Sequence, residues 1–239
     1  MTGAKARISS LLARMGELAP LFFLMLAAAL LVAFAKISDE MMEQETAAFD
    51  RYFLLAFRSA GDPNSPGGPA WLPEVARDVT SLGSVTVLAF VVLSVAVYLL
   101  LEGRWTAAVF VAVSICGGQA LSTLLKGFFE RPRPDLVPHA VHVATASFPS
   151  GHAMLSAVTY LTLGALLTNV LARRATRIYV VVLAVLLTVA VGLSRIYLGV
   201  HWPTDVLAGW CVGSAWAIFC WMVMWWVQRR TQSRPDPAA

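Results

Sequence analysis

Lys126 and Arg133 flank a turn stiffened by Pro132 and Pro134, Pro149-Ser150-Gly151-His152 follows, and Ser194-Arg195 then precedes His201 by five intervening residues and Asp205 by nine. Two arginines and a lysine repel one another, and burial near a membrane raises that cost, so a shared anion is what would gather them. A phosphate would, because its oxygens match both the fork of a guanidinium and the point charge of an ammonium. Ser150 is placed to cap a helix beginning at Gly151, which would turn free N–H groups and the positive end of a helix dipole toward the same anion. Gly151 lets backbone approach closely. Phosphoryl transfer also takes a nucleophile on one side of phosphorus and a proton donor for the leaving oxygen on the other. His201 fits the first role. Asp205, in a helix starting near Pro203, can reach back to hold the imidazole tautomer and stabilise its positive charge. His152 is left as the general acid.

Each cluster alone has a plainer reading. A histidine at a helix end is commonly a cap or surface residue, and arginines at span ends snorkel to headgroups. Convergence of all three clusters on one face is what points to a site. His139 and His142 raise a competing metal site, but they lack a nearby carboxylate pair, and three cations already meet the phosphate charge. No metal or other cofactor is therefore expected. Glu130, Arg131 and Asp135 read as solvated loop charges or local ion pairs of little worth.

The elements that must position these residues are membrane spans. The chain of 239 residues is 58% hydrophobic and 13% charged, with a mean hydropathy of +0.70, whereas a soluble domain carries about 25% charged residues. Its apolar residues gather into six runs near the ~20 residues a helix needs to cross a bilayer: Leu18–Ala35, Ser84–Leu101, Trp105–Leu125, Ala153–Leu171, Ile178–Leu198 and Asp205–Val227. Continuous runs predict helices, since barrel strands would alternate over ~10 residues. The expected fold is all-α, a polytopic six-helix membrane bundle in one domain over 1–239, with the motifs inside about 105–227. Between the first two runs, Phe49, Phe53 and Phe57 recur among charged residues, as in an amphipathic helix at the outer interface. Gly61 to Pro69 is rich in breakers and reads as loop, with Trp71 after it as a headgroup anchor.

Alternating six spans puts Lys5, Arg7, Arg14, Arg104, Arg173, Arg174, Arg177, Arg229, Arg230 and Arg234 on one side with few acids, which predicts that side, and both termini, to be cytoplasmic. The three motifs then face the extracytoplasmic side of the plasma (inner) membrane. Leu18–Ala35 is also compatible with a cleaved signal peptide, with Ala33-Phe34-Ala35 as the cleavage site, although the run exceeds the usual ~7–15 residues. Cys116, Cys211 and Cys220 fall inside spans and read as packing residues. The net charge of +4 comes mostly from cytoplasmic arginines and is no nucleic-acid footprint.

In their order and spacing, Lys126-x6-Arg133-Pro134, Pro149-Ser150-Gly151-His152 and Ser194-Arg195-x5-His201-x3-Asp205 resemble the three signature motifs of the type 2 phosphatidic acid phosphatases. The resemblance implies a metal-independent lipid phosphatase whose helical core is shared with vanadium-dependent haloperoxidases and whose His201 is phosphorylated. It also implies that Lys126, Arg133, Ser150, Gly151 and Arg195 bind phosphate, that His152 is the acid and that Asp205 supports His201. Bacterial relatives act on undecaprenyl diphosphate, phosphatidylglycerophosphate, phosphatidate or lipid A phosphates, and the motifs do not choose among these. The same site would serve a phosphotransferase passing the group to an acceptor lipid. A haloperoxidase, or a non-catalytic lipid-binding or transport module, is a further alternative.

Overall fold

The computed structural model describes residues 2–141 and 145–232, with backbone alone for 2–17, 231 and 232. In chain order the elements are α1 (Thr2–Met42), α2 (Ala47–Ala56), β1 (Arg58–Ser59), β2 (Asp62–Pro66), α3 (Leu72–Ser81), α4 (Val85–Leu101), α5 (Trp105–Phe129), α6 (Gly151–Val170), α7 (Arg174–Tyr197) and α8 (Pro203–Gln232).

Leu18–Met42, α5, α6, α7 and Pro203–Arg230 are each long and apolar enough to cross a membrane. The expected second span is different: α4 has 17 residues, and α3 joins it at a bend of 45°, so the pair makes the sixth span when taken as one. Ser84 ends the break by accepting a hydrogen bond from Val87 N at 3.3 Å, an N-cap that restarts the helix. The first apolar run continues past Ala35 to Met42, with Lys36 and Glu40 paired at 3.6 Å on an exposed face. The breaker-rich stretch is not all loop, for β1 and β2 pair antiparallel with Arg58 opposite Pro66 and Ser59 opposite Asp62. In other respects the fold is the expected all-α membrane bundle.

Large apolar side chains cover the outside, including Phe22, Phe90, Val113, Leu124, Tyr179 and Phe219. In water such a surface would aggregate, whereas in hydrocarbon it is simply the solvated face. The interior is where small and polar residues go, as membrane helix packing favours. Helix α8 lies along α6 and α1, α6 packs on α5 and α7, and α3 lies across α7. Trp216 Nε1 donates to Ser114 O at 2.7 Å and Trp210 Nε1 to Thr188 O at 3.1 Å, tying α8 to α5 and α7. Cys116 faces outward, unlike the expected packing role, while Cys220 is buried; all three cysteines are free.

Close approach of α8 to the start of α6 depends on Gly209, where a Cβ would stand 2.7 Å from Ser150 O and 3.2 Å from Met154 N. Because α5 and α7 end where α6 and α8 begin, their terminal residues meet at one end of the bundle.

Candidate active site

At that end the turn between α7 and α8 runs through Gly199, whose φ of +75° belongs to the left-handed region that favours glycine. A Cβ there would also crowd Val137 and Pro138 O. The turn delivers His201 to a buried position and starts α8 at Pro203, as the sequence predicts, so that Asp205 sits in the first helical turn. Asp205 Oδ2 accepts Trp202 N at 2.8 Å, a carboxylate reaching back to the residue before the helix in the manner of a capping box. The same oxygen accepts Ser147 Oγ–H and lies 3.4 Å from His201 Nδ1.

The partners of His201 assign its tautomer. Arginine only donates, and Arg133 Nη1 stands 3.2 Å from His201 Nε2, so Nε2 carries the lone pair. The proton is therefore on Nδ1, which points at Asp205 Oδ2 and at Ser147 Oγ, 3.3 Å away. Burial, followed by the charges of Arg195, Arg133 and Lys126, holds the imidazole well below its ordinary value of 6.5, with a hydrogen bond to the Ser147 backbone opposing. With Nε2 accepting from Arg133 the ring is neutral, and its 3.4 Å contact with Asp205 is a long hydrogen bond.

His201 also lines a cavity of about 370 Å³ whose wall includes Lys126, Arg133, Gly151, His152 and Arg195. The larger grooves between α1 and its neighbours, about 740 and 640 Å³, are lined almost wholly by apolar side chains and carry no such chemistry. Lys126 Nζ donates to Ala146 O at 2.5 Å, Arg133 Nε to Thr145 O at 2.8 Å, Arg133 Nη1 to Val200 O at 2.6 Å, and Arg195 Nη1 to Thr80 Oγ1 at 3.1 Å. These bonds fix the three cations and leave other donors unspent. Arg195 Nε is buried without a partner among the described residues, and so is Ser150 Oγ. Ser150 was expected to cap α6, and it occupies the N-cap position, but its hydroxyl makes no capping bond. Its backbone is extended, as at Ser84, which does cap, so the backbone does not account for the missing bond; a buried orphan of this kind costs about 1–3 kcal/mol until a ligand satisfies it.

The PAP2 superfamily profile matches residues 107–229, just over half of the chain. The chain belongs to the PAP2 superfamily. It is 30% identical over 196 residues to phosphatidylglycerophosphatase B of Bacillus subtilis, covering 81% of this chain and 86% of that one. Undecaprenyl-diphosphatase of Sulfolobus acidocaldarius is 43% identical over 68 residues, 28% of this chain and 29% of the relative. The crystal structure of a transmembrane PAP2-type phosphatidylglycerolphosphate phosphatase from Bacillus subtilis superposes with a TM-score of 0.74 at 25% identity, covering 87% of this chain and 98% of that one. This protein is accordingly a membrane-embedded PAP2 lipid phosphatase.

The structure brings His201, His152, Lys126, Arg133, Gly151 and Arg195 of the PAP2 motifs around one cavity, with Asp205 behind His201 and Ser150 beside Gly151. Arg131 corrects the sequence reading. It is no solvated loop charge: Nη1 meets Asp205 Oδ1 at 2.6 Å and Nη2 meets Asp50 Oδ2 at 2.7 Å, with both carboxylates buried. Losing one member of such a buried set leaves an uncompensated charge and costs about 3–5 kcal/mol. Ser147, Asp50 and Thr80 also escaped sequence reasoning. Only Ser147, three residues before Ser150, carried a local hint. His139 Nε2 contacts Pro134 O at 2.6 Å, while His142 lies outside the described residues.

Proposed function

We propose that the protein hydrolyses a lipid phosphate or diphosphate, of the phosphatidylglycerophosphate or undecaprenyl diphosphate type, through a phosphohistidine at His201. One observation carries the reading: a buried His201, whose Nε2 accepts from Arg133, lines a cavity together with His152 and three fixed cations. Phosphate oxygens would take up Arg133, Arg195, Lys126 and the unspent Ser150 hydroxyl. Nε2 attacks the terminal phosphorus in line, the bond from that phosphorus to the bridging oxygen breaks, and His152 gives that oxygen, leaving with the lipid alcohol or the lipid monophosphate, its proton. In the second half a water loses its proton to His152 and attacks the phosphohistidine, releasing inorganic phosphate and restoring His201. Asp205, held by Arg131, steadies the imidazolium charge that develops in both steps. The phosphate's own negative charge makes a proton on His152 tolerable beside three cations.

The activities for which both relatives are named fall within this substrate class, and no step calls for a metal. Purified protein in detergent with EDTA is expected to release phosphate from at least one of phosphatidylglycerophosphate, undecaprenyl diphosphate, phosphatidate and lipid A. Silence on every lipid, with label passing to an added acceptor lipid instead, would replace the hydrolase with a phosphotransferase.

The excess of lysine and arginine on the opposite side supports an extracytoplasmic active site with cytoplasmic termini. A cysteine placed at exposed Asp62 is expected to react with a membrane-impermeant maleimide in intact cells. Reaction only after lysis would reverse the orientation.

A further inference from the structure

The geometry points to Asp50 and Arg131 as positioning residues that hold Asp205 for His201, coupling the extramembrane helix α2 to the phosphoryl-transfer centre. Neither is a fixed position of the three motifs, Arg131 falling in the open stretch between Lys126 and Arg133, and the two are 81 residues apart in sequence. Helix α2 turns Phe49, Tyr52 and Phe53 outward and buries Asp50 and Leu54. Asp50 there does two things. Its Oδ1 accepts Thr204 N at 2.9 Å and its Oδ2 accepts Thr204 Oγ1 at 2.7 Å. The first of these bonds satisfies a free N–H in the opening turn of α8, a capping task usually done by the residue that precedes a helix. Its Oδ2 also pairs with Arg131, whose other nitrogen bonds Asp205 Oδ1 and Thr204 Oγ1, at 2.6 and 2.9 Å.

Asp205 is therefore gripped from both ends. Oδ1 is spent on the guanidinium, so Oδ2 alone is left for the imidazole, and the carboxylate cannot rotate to offer the other oxygen. Trp202 N and Ser147 Oγ complete the hold on Oδ2. The Nδ1 contact is already long at 3.4 Å, so small rotations of the carboxylate would lose it. Misplacement of about 1 Å remote from the reacting atoms is enough to cost about 10²-fold. The bonds of Lys126, Arg133 and Arg195 reach neither Asp50 nor Arg131; Arg133 does touch His201 Nε2 at 3.2 Å, but the hold on Asp205 does not run through it, so phosphate binding and the setting of Asp205 are separable.

This inference rests on the phosphohistidine reading, and the test separates the two. Arg131→Gln, Arg131→Lys and Asp50→Asn are compared with the wild type for kcat, KM and the rise in unfolding temperature given by orthovanadate. The expected result is a kcat lower by about 10- to 100-fold in Arg131→Gln, with KM and the vanadate stabilisation close to wild type. Arg131→Lys, which keeps a cation, should recover part of kcat. Asp50→Asn, which keeps shape and an acceptor, should lose less but in the same pattern. If Arg131→Gln does not fold, the lysine and asparagine variants carry the same comparison. Unchanged kcat in the folded variants, or vanadate stabilisation lost in step with kcat, would overturn the assignment. A wild type without turnover or vanadate stabilisation would instead strike the phosphatase reading itself.

Discussion

Replacing His152 with glutamine is expected to slow phosphate release from a lipid substrate by about 10²- to 10⁴-fold, the usual worth of a positioned general acid. The loss should depend on what leaves. A lipid alkoxide is a poor leaving group and needs a proton as the bond to phosphorus breaks, whereas p-nitrophenolate departs without one. Helix α6 begins at Gly151 and carries His152 in its first turn, at the wall of the cavity that His201 also lines. The first-turnover burst of p-nitrophenolate from p-nitrophenyl phosphate should therefore slow much less in the variant than the first turnover of the lipid, while later turnovers wait on the water step that His152 also serves. Equal losses on both substrates would mean that His152 binds or shapes the site and does not protonate.

A larger effect is expected at His201. His201→Ala removes the imidazole that the turn between α7 and α8 places at the cavity wall, and turnover should fall by at least about 10⁴-fold, with binding and the cations supplying the remainder. Phosphate binding should survive, because Lys126, Arg133 and Arg195 are held by Ala146 O, Thr145 O, Val200 O and Thr80, not by the imidazole alone. Orthovanadate should accordingly still raise the unfolding temperature of the variant. Phosphate release at the wild-type rate would remove the nucleophile from the account.

Much of this was legible in the sequence. Apolar runs gave the spans because hydrocarbon admits only backbone whose hydrogen bonds close within the helix, and Pro203 announced the start of α8. Motif spacing put Lys126, Arg133, His152, Arg195 and His201 at one end of the bundle. The second span was only half visible: Ser84 caps α4, but α3 before it mixes Glu74, Arg77 and Asp78 with its apolar face and carries no membrane signal of its own. Arg131 was misread because a charge in a loop looks alike whether solvated or clamped, and its partner Asp50 lies on α2, which the phenylalanine spacing marked only as amphipathic. Local pattern reports on neighbours along the chain, and the hold on Asp205 is built across it. Ser150 shows the reverse error, since its type and position predicted a cap while its hydroxyl is left unengaged.

Loss of activity in His201→Ala does not by itself distinguish a nucleophile from a base that activates water, and a phosphorylated enzyme does. The decisive measurement is to mix the purified protein with lipid radiolabelled at phosphorus, quench it in alkali within a turnover, and map the label by peptide mass. The account predicts acid-labile, alkali-stable phosphate on the peptide containing His201, accumulating most in His152→Gln with an activated aryl phosphate and absent from His201→Ala. Full turnover with no labelled protein at any quench time, in wild type and His152→Gln alike, would contradict it and make direct attack by water the mechanism.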